Sequence, residues 1–96
     1  MPRAIVLNRA DNVATLLDAG RAGDACCLEG ERDGTVVLLQ DVPFGHKICV
    51  VDAAPGDDIV KYGQIIGRAS RVVRVGEHMH VHNIESARAR GDLEKG

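Results

Sequence analysis

Apolar residues fall into short runs separated by turn-forming residues along nearly the whole chain, and only one stretch follows a helical period. Residues 4–7 form an apolar run that predicts a strand. Asp11 then stands where an N-cap would, Val13, Leu16 and Leu17 recur at helical spacing, and Gly20 supplies a stop. That pattern predicts one short N-terminal helix. Beyond Gly20 the runs are of β type, at residues 25–28, 35–40, 47–51, 58–61, 70–75 and 78–83. Residues 35–39 are apolar almost without interruption, which predicts a strand covered on both faces.

The turns between these runs carry glycine or proline for local reasons. Gly30 and Gly34 flank a polar tip, while Pro43 and Pro55 preset φ just ahead of Gly45 and Gly56. Three stretches, at residues 42–48, 54–59 and 73–79, repeat one grammar, in which a turn glycine is followed by charged or histidine residues and then an apolar one. Their spacing is unequal, so they are turn-and-strand units of one fold and not a solenoid. From residue 85 apolar residues nearly vanish. The expected organisation is a single mainly β domain over residues 1–84 and a polar tail or linker over residues 85–96.

With 96 residues, one domain of this size buries roughly 65% of its unfolded surface and has little material to enclose a deep reaction cavity. A large active site must therefore be shared with a partner. The formal charge of −2 is interspersed along the chain, and Phe44 and Tyr62 are its only Phe, Tyr or Trp residues. Neither nucleic acid nor an anionic membrane is expected as a partner. Three cysteines, two of them adjacent, do not make an extracellular disulfide framework, and the first apolar run is too short for a signal-peptide core. A cytoplasmic protein is expected. Exposed strand edges leave homo-oligomer formation open.

Chemistry concentrates in three places. In residues 77–83 the order His78-Met79-His80-Val81-His82 would, in a strand, align three of the four histidines on one face and send Met79 and Val81 into the core. Three readings fit that triplet: a solvated strand face, substrate or proton-transfer contacts, and metal ligation. Gly45-His46-Lys47 sits where a turn hands over to a strand; it is either a solvated turn or an imidazole beside an ammonium able to bind a carboxylate and move a proton. Lys61-Tyr62-Gly63 opens a glycine-rich stretch in which the tyrosine either meets a polyol or caps the core. Glycines here form no phosphate fingerprint, no nucleophile elbow is present, and the adjacent Cys26 and Cys27 read as small hydrophobes of a buried strand.

Taken as a set, Asp11-Asn12-Val13-Ala14, Pro43-x-Gly45-His46-Lys47, Ile59-x-Lys61-Tyr62-Gly63-x-x-Ile66-Gly67-x-Ala69 and Gly76-Glu77-His78-x-His80-x-His82-Asn83 resemble the SAF-type domain that begins altronate and galactarate dehydratases. The same module is similar to the separate small subunit of sulfolactate sulfo-lyase. The resemblance implies a β-clip-like SAF domain and a carbon–oxygen lyase activity on an acidic sugar. It also implies a divalent metal, expected to be iron, in the complete enzyme, and a large catalytic subunit without which this chain is inactive. Carried over motif by motif, it assigns catalytic roles to His46, His80 and His82. It assigns substrate contacts to Lys47, Lys61, Tyr62, Gly63 and Asn83, and metal ligation to His80 and His82, with His78 as a further candidate. A non-catalytic carbohydrate-binding or regulatory module is the alternative that SAF-type domains also serve.

Overall fold

Short runs between turns cannot each bury a face alone, and they do so by curling into sheets. The computed structural model describes residues 1–86, which form nine strands and no helix. The strands are β1 (Arg3–Val6), β2 (Val13–Leu16), β3 (Ala25–Gly30), β4 (Thr35–Val37), β5 (Lys47–Cys49), β6 (Asp58–Lys61), β7 (Gln64–Ala69), β8 (His78–Met79) and β9 (Ile84–Ser86). Six of them make one sheet in the order β4-β3-β1-β2-β5-β8, and three make a second in the order β6-β7-β9. The larger sheet curls until its ends meet: Leu39, beyond β4, donates its N–H to the carbonyl of Gly76, just before β8, at 2.9 Å. Because β1 and β3 run parallel while β2 is antiparallel to both β1 and β5, the β3–β4 hairpin and the start of β5 lie away from each other.

The expected N-terminal helix is a strand. Residues 13–16 pair with β1 on one side, Ala4 opposite Leu16, and with β5 on the other, Val13 opposite Cys49. Partners on both flanks satisfy the backbone, and tertiary pairing overrides a weak helical period. Asp11 does not cap a helix; its buried carboxylate accepts N–H groups from Asn8 at 3.1 Å and from Tyr62 and Gly63 at 2.8 Å each.

Other expectations are corrected as well. Residues 35–39 are not covered on both faces: Val36 and Leu38 are buried while Val37 and Leu39 are exposed, as befits the end strand of a sheet. Residues 70–75 supply a single bridge, Ala53 to Val73, and not a strand. β7 was hidden by its glycine. Gly67 is needed there because a Cβ would collide with the carbonyl oxygen of Glu85 on the neighbouring β9. Residues 85 and 86 belong to that strand and not to the tail, whose remainder lies outside the described residues.

The core has two parts. Ala4, Val6, Leu16, Cys26, Leu28, Leu38 and Ile48 fill the curled sheet, while Val13, Cys49, Ile59, Val73 and Met79 join it to the smaller one. Cys26 is a buried packing residue, as the sequence pattern implied, while its neighbour Cys27 is half-buried; Cys49 is buried as well, its thiol pushed up to about 11 by burial and donating to the Val51 carbonyl at 2.9 Å. A thiol held in its neutral form is a poor nucleophile. No helix among the described residues is long and apolar enough to cross a membrane.

Candidate functional site

Four turns of the same construction carry the chain around the fold. In residues 21–24, 43–46, 54–57 and 74–77 the fourth N–H donates to the first carbonyl at 2.9–3.2 Å, and the third residue is a glycine with φ between 83° and 93°, the left-handed region that a type II turn requires. In three of them the fourth residue is an acid whose carboxylate accepts the first residue's N–H: Asp24 from Arg21, Asp57 from Ala54, and Glu77 from Arg74. In the remaining one the first residue is Pro43, which has no N–H to offer. The acid's task is gone, and His46 occupies the place.

Freed of that structural duty, the His46 ring meets His78 and His80, and His78 in turn reaches His82. Its Nδ1 lies 2.9 Å from Nε2 of His78, its ring stacks on His80 at a centroid distance of 5.0 Å with 9° between planes, and His78 reaches His80 and His82 at 5.5 and 5.6 Å. The convergence does not come from strand alternation. β8 ends at Met79, and the chain then turns through residues 80–83, so that Val81 is 82% exposed and does not enter the core as the strand pattern implied. The turn is built on Asn83, which is fully buried. Its side-chain oxygen accepts the His80 N–H and its amide donates to the His78 carbonyl, both at 2.9 Å. Asn83, expected as a substrate contact, holds two of the histidines in place through these bonds. Gln40, which the sequence reading missed, steadies the same turn by accepting the His78 N–H at 2.9 Å.

Beside the imidazoles, Lys47, Met79 and His80 line a cavity of about 240 Å³ with Ile66, Val81 and Ile84. Burial, then the nearby Lys61 ammonium, holds the Lys47 ammonium below its ordinary value. A carboxylate between the two lysines would relieve that repulsion. Tyr62 and Gly63 stand at the β6–β7 hairpin tip, both with φ above zero, 57° and 73°, and the tyrosine ring is 69% exposed, not packed in the core. No ring contact joins Tyr62 to the imidazoles among the described residues.

Burial, then the neighbouring rings of His46, His80 and His82, then Lys47, hold the His78 imidazole below its ordinary value. In the window just beneath ~6.5 the folded chain therefore binds fewer protons than the unfolded one, so stability rises with pH there. The wild-type chain is expected to lose stability as pH falls from about 7 to 5, and His78→Gln to lose less. Urea midpoints at the two pH values check this. Equal losses in both proteins would show that His78 does not contribute.

No group of three or more His, Cys, Asp or Glu side chains among the described residues is placed to hold a metal ion. One nitrogen each of His46 and His78 is spent on the other ring. The four histidines are linked by ring contacts with the Lys47 ammonium nearby, and a metal near His80 and His82 would need further donors from elsewhere.

Comparison with known proteins agrees with the residue pattern. Residues 2–87 match the family described as the altronate/galactarate dehydratase SAF domain. The chain is 32% identical over 72 residues to the (2R)-sulfolactate sulfo-lyase subunit alpha of Chromohalobacter salexigens, covering 75% of this chain and 77% of that one. It is 38% identical over 79 residues to altronate dehydratase of Escherichia coli, covering 82% of this chain and 15% of that one. With altronate dehydratase of Bacillus subtilis the identity is 35% over 86 residues, covering 90% and 17%. The chain thus spans most of the sulfo-lyase subunit alpha, and under a fifth of the dehydratases.

Proposed function

The chain belongs to the altronate/galactarate dehydratase SAF domain family, and on that premise we propose that it is the small subunit of a cytoplasmic carbon–oxygen lyase, a hydro-lyase that eliminates water from a sugar acid such as altronate or galactarate together with a large catalytic subunit. The observation that carries the reading is the convergence of His46, His78, His80 and His82 beside Lys47. Elimination from a hydroxy acid removes a proton from the carbon next to the carboxylate and protonates the departing hydroxyl, so it needs a cation for the carboxylate and groups that exchange protons near neutral pH. Lys47, with Lys61 behind it, supplies the cation. His78, held neutral, accepts a proton, and its hydrogen bond to His46 gives that proton a path. The exposed His80 and His82 face outward, where the leaving group of a shared substrate would lie. Tyr62 and Gly63 supply a polar edge to the β-clip-like scaffold. His80 and His82 would offer imidazole donors to a divalent metal, expected to be iron, that would polarise the substrate in the complete enzyme, with the other donors supplied by the large subunit.

A second reading, the small subunit of a sulfolactate sulfo-lyase, is favoured by one observation: the match covers 77% of a free-standing subunit alpha. The chemistry differs only in the leaving group, sulfite in place of water. Co-expression with a large subunit encoded in the same genome, followed by assay on altronate, galactarate and sulfolactate, separates the two. Formation of a 2-oxo acid from altronate or galactarate is the expected result, and sulfite release from sulfolactate alone supports the second reading. If the assembled pair turns over none of the three, the lyase assignment fails.

A further inference from the structure

At the tip of the β3–β4 hairpin lies a second cavity, of about 580 Å³, lined by Arg9, Glu31, Arg32, Asp33 and Thr35 over a floor that includes Val50. His46 precedes β5 and Val50 follows it, so this cavity and the histidine cluster lie at opposite ends of that strand. Its chemistry is unfinished. The Nε–H of Arg32 is buried with no hydrogen-bond partner among the described residues, and the guanidinium's one contact is a long one of 3.5 Å from Nη2 to the Arg9 carbonyl. Arginine carries five donors, and a buried charged donor left without an acceptor is costly. Glu31 and Asp33 line the same cavity, yet the ion pairs among the described residues are Arg3 with Asp18, Arg68 with Asp58 and Arg71 with Glu77. Two guanidinium groups and two carboxylates therefore share one recess without neutralising each other.

We infer that this recess is a second binding site, separate from the proposed active site, for a small hydroxy carboxylate. The ligand's carboxylate lies on the Arg32 and Arg9 guanidinium groups, in the forked geometry that arginine offers a planar oxyanion. Its hydroxyls donate to Glu31 and Asp33, and those acids repel an anion that brings no donors of its own. The volume suits a ligand of that size. Selectivity for hydroxy acids over plain anions follows from the mixture of charges. Because the site uses none of the histidines or Lys47, it stands whether or not the lyase reading does.

The test is a titration of the ¹⁵N-labelled full chain followed through its amide resonances, with gluconate as probe and acetate, sulfate and the uncharged polyol glucitol as controls. Gluconate is expected to shift Arg9 and residues 31–36 and to bind there roughly tenfold more tightly than acetate or sulfate, whatever it does at the histidine end. Glucitol is expected to shift nothing. Arg32→Gln should weaken gluconate by roughly tenfold or more, with Arg32→Lys between it and the wild type. Arg9→Gln gives an independent reading if the Arg32 variants fail to fold. The site is overturned if gluconate shifts only the histidine end, if acetate or sulfate binds as well as gluconate, or if the arginine variants that fold bind it unchanged.

Discussion

Asp11→Ala is expected to lower the folding stability by about 3 kcal/mol and the melting temperature by roughly 15 °C. The carboxylate is 1% exposed and satisfies three backbone N–H groups, two of them at the β6–β7 hairpin tip some fifty residues further along the chain. An alanine leaves those donors facing a space that offers no acceptor. Each orphaned buried N–H costs about 1–3 kcal/mol; the lower part of that range applies here, since the hairpin tip can open toward water. Asp11→Asn, which keeps one acceptor but turns an NH₂ toward a donor, is expected to lose about 2 kcal/mol. Tyr62 supplies a control of opposite sign. It holds φ at 57°, strained for a residue with a Cβ, so Tyr62→Gly should be neutral or stabilising by up to about 1 kcal/mol. Urea denaturation of the three variants measures all of this, and a loss below about 1 kcal/mol for Asp11→Ala would mean that the clamp does not hold the hairpin.

That clamp also shows where local pattern stops being informative. Aspartate ahead of a 3.6-residue period is a sound helix-start signal, but its three donors come from residues 8, 62 and 63, and no window of ten residues contains them all. The strands with short-range turn chemistry, such as β5 after Gly45 and β6 after Gly56, were legible because glycine and the following polar residue determine the turn locally. β7 was not. Its one glycine looked like a turn residue, when Gly67 is there to let the β9 backbone pass. The site was legible in composition and only partly in geometry. His46, Lys47, His78, His80 and His82 do come together, but two residues of β8 followed by a turn, and not a six-residue strand, bring them there. Asn83, assigned to the substrate by motif, is buried and braces the backbone of His78 and His80. The clue that singles out His46 was in the sequence all along: of four like turns, it closes the one that begins with proline, where an acid would have nothing to cap.

In the reconstituted two-chain enzyme, His46→Gln is expected to lower kcat by roughly 100-fold or more while leaving assembly and melting temperature close to wild type, since positioned proton transfer contributes typically 10²–10⁴-fold. Glutamine keeps a polar group beside His78 but cannot carry a proton. His46 is hydrogen-bond partner to His78 at 2.9 Å and has His80 stacked on its face, so its loss removes the one hydrogen-bonded ring contact among the described histidines and the stack that continues it to an exposed ring. His80→Gln and His82→Ala test the outer end: a comparable fall with assembly retained places those rings next to the reacting atoms, whereas a rise in KM alone would make them binding groups. Lys47→Met should act chiefly on KM, because the ammonium is assigned to the substrate carboxylate in ground and transition states alike. The pH profile adds a readout that simple damage to the fold would not reproduce. With His78 neutral above its lowered value, kcat/KM should fall on the acid side below ~6.5 in the wild type and lose that limb in His78→Gln along with most of its rate. Should His46→Gln and His80→Gln both turn over substrate at the wild-type rate, proton transfer belongs wholly to the large subunit and this chain serves only to bind and orient the acid.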